Sequence, residues 1–377
     1  MMRFISLLTI SVLIGCETAL AVDWQKVETA FTQQVPLTAR TDEPGFVLGI
    51  TSAQETKLVL TSGAANIEHA AKIDENSVFH IASLSKQITA AVLARAIVDK
   101  KVSLDDPVSA WIDGAEKYSD ALTIKHLVYM TSGLTEYTDV ERPNNLPWVT
   151  FHYFSVQDAI SASLSVPELR HAPGKEWHYS NINYMLLAEI AAKAYGRPFS
   201  QLAHEFIFEP LGMTRSLVND DITQIIPNRA DGYIQRSEAV VDELNNKGKV
   251  FVKPGTGWVQ IRRNAPHYGG SGVMTSMADW LRWQREMLNH DVFGEEFWRL
   301  MLQTMQFEHD KANDAFGLVH GEYQGRPTIW YSGGDIDSSS YTVSLLDAGI
   351  NVSCFSNNPL GSCQDKVMTL LGVLQHE

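Results

Sequence analysis

Apolar positions recur along this chain with two periods, that of a helix and that of a strand. Residues 24–36 alternate apolar and polar positions at helical spacing and predict a leading amphipathic helix. Gly45-Phe46-Val47-Leu48-Gly49-Ile50 and Lys57-Leu58-Val59-Leu60 predict two strands joined by a polar turn at Ser52–Thr56. From Ser85 to Asp99 the helix pattern is apolar on most faces (Ile88, Ala90, Ala91, Val92, Leu93, Ala94, Ile97, Val98), which predicts a buried helix. Residues 101–270 lean helical, punctuated at Pro173-Gly174, Gly196-Arg197-Pro198 and Pro210-Leu211-Gly212. Strand signals return at Thr328–Tyr331, Ser340–Leu346 and Ile350–Phe355, and a last helix is expected over Asp365–Gln375. Strands at both ends with helices between predict an α/β (α+β) layer from 22–100 and 270–377, with 101–269 as an inserted, mostly helical domain. A cleft between the two parts is where a ligand site is expected.

The first residues have a different character. Met1-Met2-Arg3 is a short positive start, Phe4 to Gly15 is almost wholly apolar, and Ala19-Leu20-Ala21 offers a small–x–small cleavage pattern. Residues 1–21 therefore read as a signal peptide, and the run is shorter than the roughly 18–20 residues of a membrane span. Leu13-Ile14-Gly15-Cys16 resembles a bacterial lipobox, which would instead leave a lipid anchor at Cys16. Either way the protein is expected to be exported, periplasmic or secreted. Export permits a disulfide between Cys354 and Cys363; two separate buried thiols are the other reading. A net charge of −14 without a Lys/Arg cluster argues against nucleic acid as a partner. Neither Cys-x-x-Cys nor His-Glu-x-x-His occurs, so no zinc site is expected.

Three short motifs carry candidate chemistry. Ser83-Leu84-Ser85-Lys86 is a Ser-x-x-Lys at the start of the buried helix, where residues i and i+3 share a face. Apolar surroundings disfavour an ammonium and favour an amine that can take the hydroxyl proton, and a helix N-terminus presents free amides to an oxyanion. Tyr179-Ser180-Asn181 adds a phenol able to relay a proton and an amide able to hold both lysine and substrate. Tyr331-Ser332-Gly333-Gly334 ends a strand in small residues, leaving room for a substrate along its edge and an amide at Gly334 as a second oxyanion donor.

Together with their surroundings these motifs resemble the serine β-lactamase and penicillin-binding protein superfamily, nearest its class C-like branch. Phe79–Ala90 is similar to the nucleophile segment. Leu104-Asp105-Asp106-Pro107-Val108, Ile124-Lys125-His126-Leu127 with Met130-Thr131-Ser132-Gly133-Leu134, Tyr179–Leu187, Pro210–Met213 and Gly269–Val273 follow in the family's order. The resemblance covers about residues 40–360. It implies a β-lactamase/transpeptidase-like fold, an antiparallel sheet flanked by helices. It also implies acylation of Ser83, proton work shared by Lys86 and Tyr179, and substrate binding by Asn181 and the Tyr331–Gly334 strand. The amides of Ser83 and Gly334 would form the oxyanion hole, the substrate would be a small molecule or peptide, and no cofactor is expected.

One position departs from the family pattern. The third motif usually begins with Lys or His; here it begins with Tyr331, which is neutral and cannot pair with a substrate carboxylate. This favours an ester or another amide over a β-lactam or a D-Ala-D-Ala peptide. Arg262 and Arg263 could supply positive charge, though both read more simply as surface residues. Two other functions compete. A non-hydrolytic module that binds penicillin or peptidoglycan fragments would fit the altered motif. A Ser-His-Asp hydrolase needs Gly-x-Ser-x-Gly, and Gly269-Gly270-Ser271-Gly272-Val273 lacks the last glycine.

Overall fold

The computed structural model describes residues 22–142, 145–150, 152–246, 248–306, 311–312 and 314–375. The leader and Cys16 lie outside the described residues. The chain enters through α1 (Trp24–Gln34), whose first turn is capped by the Asp23 carboxylate accepting from the amides of Gln25 and Lys26. Next come β1 (Phe46–Ser52) and β2 (Thr56–Ser62), an antiparallel pair, and the short β3 (Val78–His80), which leads through a tight turn into α2 (Ser85–Val98). The middle of the chain holds α3 (Val156–Ser165) and α4 (Asn181–Tyr195). Then follow β4 (Val273–Ser276), paired with β3, and α5 (Met277–Asn289). The last part is β5 (Asp314–Ala315), β6 (Leu318–Tyr323), β7 (Arg326–Asp335), β8 (Ser338–Leu345), β9 (Ile350–Ser356) and α6 (Cys363–Leu374).

The main sheet runs β5-β6-β7-β8-β9-β1-β2, antiparallel throughout. The two ends of the chain meet where β1 pairs with β9, Phe46 opposite Ser356 and Ser52 opposite Ile350. The period of two along β1 explains its continuous apolar run. Phe46, Leu48 and Ile50 face one core with Val27 and Phe31 of α1 and Val367 and Leu371 of α6. Val47 faces the other core, which contains α2, α4 and α5. At Gly49 that second face has no room for a side chain: a methyl there would lie 2.8 Å from Leu281 and Met277 of α5. The pairing of Cys354 in β9 with Cys363 at the start of α6 is a disulfide, so the two-thiol reading is not what the structure contains.

The middle of the chain is less helical than its pattern suggests. Gly232–Gln235 and Trp258–Ile261 form an antiparallel pair, and Leu217–Val218 adds to the β3–β4 sheet. These runs are too short to show a period, and their Tyr, Ile, Trp and Val residues suit a strand. Among the described residues no helix is long and apolar enough to cross a membrane.

Candidate active site

Ser83 sits in the single 3₁₀ turn Ala82–Leu84 that joins β3 to α2. Ala82 just before it has φ +46°, a left-handed conformation that costs an L-residue about 1–2 kcal/mol. This turn brings the Ser83 hydroxyl out of a helix that is otherwise buried. Most residues from Ser85 to Ala94 are inaccessible, and Lys86 is 0% exposed. Three polar side chains of this apolar helix find partners in the glycine turn and at the first residue of β4. The Ser85 hydroxyl accepts from the Val273 amide, Thr89 donates to the Gly269 carbonyl at 2.7 Å, and Lys86 donates to the Gly270 carbonyl at 2.6 Å.

Tyr179 and Asn181 arrive from the opposite side, at the start of α4. Glu136 fixes that start from another segment: its buried carboxylate accepts from the Ser180 hydroxyl at 2.5 Å and the Ile182 amide at 3.2 Å, where a helix N-terminus favours a negative charge. Ser132 braces the next turn by donating to the Asn183 side chain at 2.6 Å. The result is a closed triangle. Ser83 Oγ lies 2.7 Å from the Tyr179 hydroxyl, and Lys86 Nζ lies 3.2 Å from the first and 2.7 Å from the second.

The fourth contact of Lys86, to Asn181 Oδ1 at 2.8 Å, restricts what the amine can do. An ammonium has three N–H donors, and Asn181 Oδ1 and the Gly270 carbonyl can only accept. Those two oxygens hold two N–H bonds whether the lysine is charged or neutral. The remaining position, an N–H or a lone pair, faces the two hydroxyls. The geometry therefore aims that one lysine position, proton or lone pair, at the Tyr179 and Ser83 hydroxyls.

The third motif is split by the alternation of its strand. Tyr331 points into the core, 6% exposed, and burial raises its pKa well above the usual phenol value. It does not line the cavity, so the substrate-binding role that the resemblance implies for it has no route in this arrangement. Ser332 is exposed and also stands outside the cavity wall. Gly333 runs tight against the Ser83 turn: a methyl there would lie 2.4 Å from Ser340 Oγ, 2.6 Å from the Ile81 carbonyl and 3.0 Å from the Ser83 amide. Gly334 lines the cavity with open space beside it. β6 pairs with β7 only as far as Trp330, so the edge from Tyr331 to Asp335 has no strand partner among the described residues.

The cavity, about 250 Å³, is lined by Ser83, Tyr179, Asn181 and Gly334 and closed by Tyr137, Trp148, Val149, Thr150, His267, Ser271, Asp335 and Ile336. No Lys or Arg is among these residues. Asp335, its one carboxylate, is already engaged. It accepts from the Thr150 hydroxyl at 2.9 Å and its own neighbour's amide at Ile336, and forms an ion pair with Arg263 at 3.2 Å, off the hydrogen-bonding direction.

Arg263 corrects a sequence expectation. Arg262 is exposed, but Arg263 is 4% exposed and lies behind the cavity. Its guanidinium donates to His80 Nε2 at 2.8 Å, so that nitrogen is the acceptor and Nδ1 carries the proton toward Asp337 at 2.9 Å. Burial alone would raise the Asp337 carboxyl, but His80, Arg263 and Arg229 hold it below the usual carboxylate range. His80, Asp335 and Asp337 are also grouped closely enough to hold a metal ion, with ligand atoms within 4.8 Å of one another. Their charge is already balanced by the buried Arg263 and the partly buried Arg229. His267 was equally hidden in the sequence. It is buried, held neutral by that burial and by nearby Arg263, Lys86 and His80, and bonded through Nε2 to the Tyr137 hydroxyl at 2.7 Å. Its φ of +40° is the one local oddity, and no sequence pattern signals it.

Comparison with known proteins bears on this geometry. A family model described as Beta-lactamase matches residues 27–368. The chain is similar to a D-aminopeptidase of Gluconobacter oxydans (strain 621H), 25% identical over 298 residues, which cover 79% of this chain and 52% of that protein. It is also similar to esterase EstB of Burkholderia gladioli, 28% identical over 165 residues, 40% of this chain and 41% of that protein. The chain spans about half the length of the curated relatives it matches. Among solved structures, D-amino acid amidase from Ochrobactrum anthropi SV3 complexed with D-phenylalanine shares the fold, with a TM-score of 0.75 at 19% identity over 93% of this chain and 99% of that one.

Proposed function

Because the chain belongs to the beta-lactamase family, we propose that it is a serine hydrolase that forms an acyl-enzyme on Ser83. The observation that carries this reading is the closed triangle of Ser83, Lys86 and Tyr179, with the lysine's other donors tied to Asn181 and Gly270. Ser83 Oγ attacks the substrate carbonyl as its proton passes to the Lys86–Tyr179 pair. The amides of Ser83 and Gly334 hold the oxyanion, and the proton returns to the leaving group through Tyr179. Water repeats the sequence in reverse to free the acid.

The substrate is a neutral ester or amide in preference to a β-lactam. Among the described residues, the carboxylate that β-lactams and D-Ala-D-Ala peptides carry would find no free cation: no Lys or Arg lines the cavity, Lys86 is engaged and Tyr331 faces the core. The relative named as an esterase agrees with that preference. We place the enzyme outside the cytoplasm, on the leader pattern of residues 1–21 and the Cys354–Cys363 disulfide.

The test is intact-mass detection of acylation, with turnover, across a nitrophenyl acetate, a D-amino-acid amide, a penicillin and a cephalosporin. Turnover of the ester or amide is expected, and Ser83→Ala should lower it by about a thousandfold or more. No turnover and no adduct on Ser83 with any of the four sinks the proposal. A lasting penicillin adduct without turnover would point instead to the binding module.

A further inference from the structure

Trp148 belongs to three cavities at once. One face closes the Ser83 cavity of about 250 Å³. The same residue walls two neighbouring hollows of about 540 and 550 Å³ that share Val140, Glu141 and Arg142. The indole is therefore a partition between the small nucleophile chamber and larger space beyond it.

The partition is held from several directions. The indole N–H donates to the Val140 carbonyl at 2.6 Å. Tyr137 and Phe154 pack edge-on against the ring, with centroids 5.1 and 5.2 Å away. The Arg142 guanidinium lies 4.7 Å from the ring centroid and is itself pinned by donating to the carbonyls of Pro147 and Tyr153. A side chain fixed by a hydrogen bond, two ring contacts and a cation does not swing aside cheaply.

The position of the wall decides which arm of the substrate meets it. The leaving group has to stand by Tyr179 and Lys86, which return its proton. The carbonyl oxygen sits between the Ser83 and Gly334 amides. The other arm then runs along the unpaired edge of β7 toward Asp335 and Ile336, and it ends against Trp148. We propose that Trp148 is the residue that limits acyl length, so that the enzyme accepts short, uncharged acyl groups and excludes long ones. This rests on the hydrolase reading above and adds to it the acyl class and the residue that sets it.

Two measurements test the proposal and separate it from that reading. The first is the ratio of kcat/KM for nitrophenyl octanoate to that for nitrophenyl acetate. Trp148→Ala should raise this ratio tenfold or more, and Trp148→Leu, a smaller plug, should give an intermediate value. The second is calorimetric binding of butanamide and octanamide, neutral ligands whose binding needs no turnover. The wild-type protein should bind octanamide at least tenfold more weakly than butanamide, and Trp148→Ala should remove that difference. If wild type binds octanamide as well as butanamide, or if both tryptophan variants keep the wild-type profile while folded, Trp148 does not set acyl length. If the chain-length limit appears in binding but no ester is hydrolysed, the wall stands and the hydrolase reading falls.

Discussion

Lys86 is surrounded by four oxygens within 3.2 Å, and two of them can do nothing but accept. That asymmetry is what turns a buried amine into a directed one: its variable proton has only the Ser83 and Tyr179 hydroxyls to go to. Asp314 shows the opposite case, a partly buried acid with little support. Burial raises its pKa to about 6, against the opposing hydrogen bond from Trp177. A carboxyl whose pKa rises on folding binds its proton more tightly in the folded state, so its contribution favours folding below about pH 4. That contribution is lost as the pH climbs through 6. Asp314→Asn, which keeps an acceptor for Trp177, should remove this part of the pH dependence and leave the variant relatively more stable than wild type at pH 7. Urea midpoints at pH 4, 5, 6 and 7 would show it. Parallel profiles for the two proteins would contradict it.

At the scale of elements, the site is a meeting of strand β7 with the turn between β3 and α2. The approach is so close at Gly333 that a methyl would touch the backbone on the nucleophile side, whereas at Gly334 it would meet nothing within 4 Å. Gly333→Ala should push β7 away from the Ser83 amide and lower kcat by about 100-fold or more, the usual cost of a lost oxyanion donor. Gly334→Ala, one residue on, should fold with wild-type stability, since neither space nor a positive φ opposes it. Thermal melts and ester kinetics on the pair would decide, and equal tolerance at both positions would refute the close-approach argument. Behind the same junction Arg263 joins His80 on β3 to Asp335 at the end of β7. A cation between β3 and β7 links the two strands behind the cavity.

For the whole molecule, the chain ends are brought together by β1 and β9, and Cys354–Cys363 fastens the last helix to that junction. The loop they close is short, so reduction should lower stability by no more than about 2–3 kcal/mol. Urea midpoints with and without a reductant would measure it. Alkylation of two free thiols in the unreduced protein would show that the bond does not form. The plan of strands at both termini and helices between them was legible because each element repeats its apolar residues at its own period. The mixed character of residues 217–261 was not, because strands of two to four residues are shorter than the pattern that would announce them.

The sequence by itself determined the Ser83–Lys86 segment, the buried helix that it opens and the order of the motifs that meet it. Ser83 and Lys86 are one helical turn apart, and local geometry suffices to aim them at the same space. Tertiary structure alone decided which polar groups are buried and with whom. Lys86 meets the Gly270 carbonyl across 184 residues, and Arg263 meets His80 across 183. Nothing in either neighbourhood of the chain encodes the encounter. The same holds for Tyr331, which faces the core because its strand alternates and Gly333 packs against the Ser83 turn, and for Trp148, whose place between cavities exists only once three segments pack around it. Periodicity is a property of one segment, whereas burial belongs to the segments that cover it.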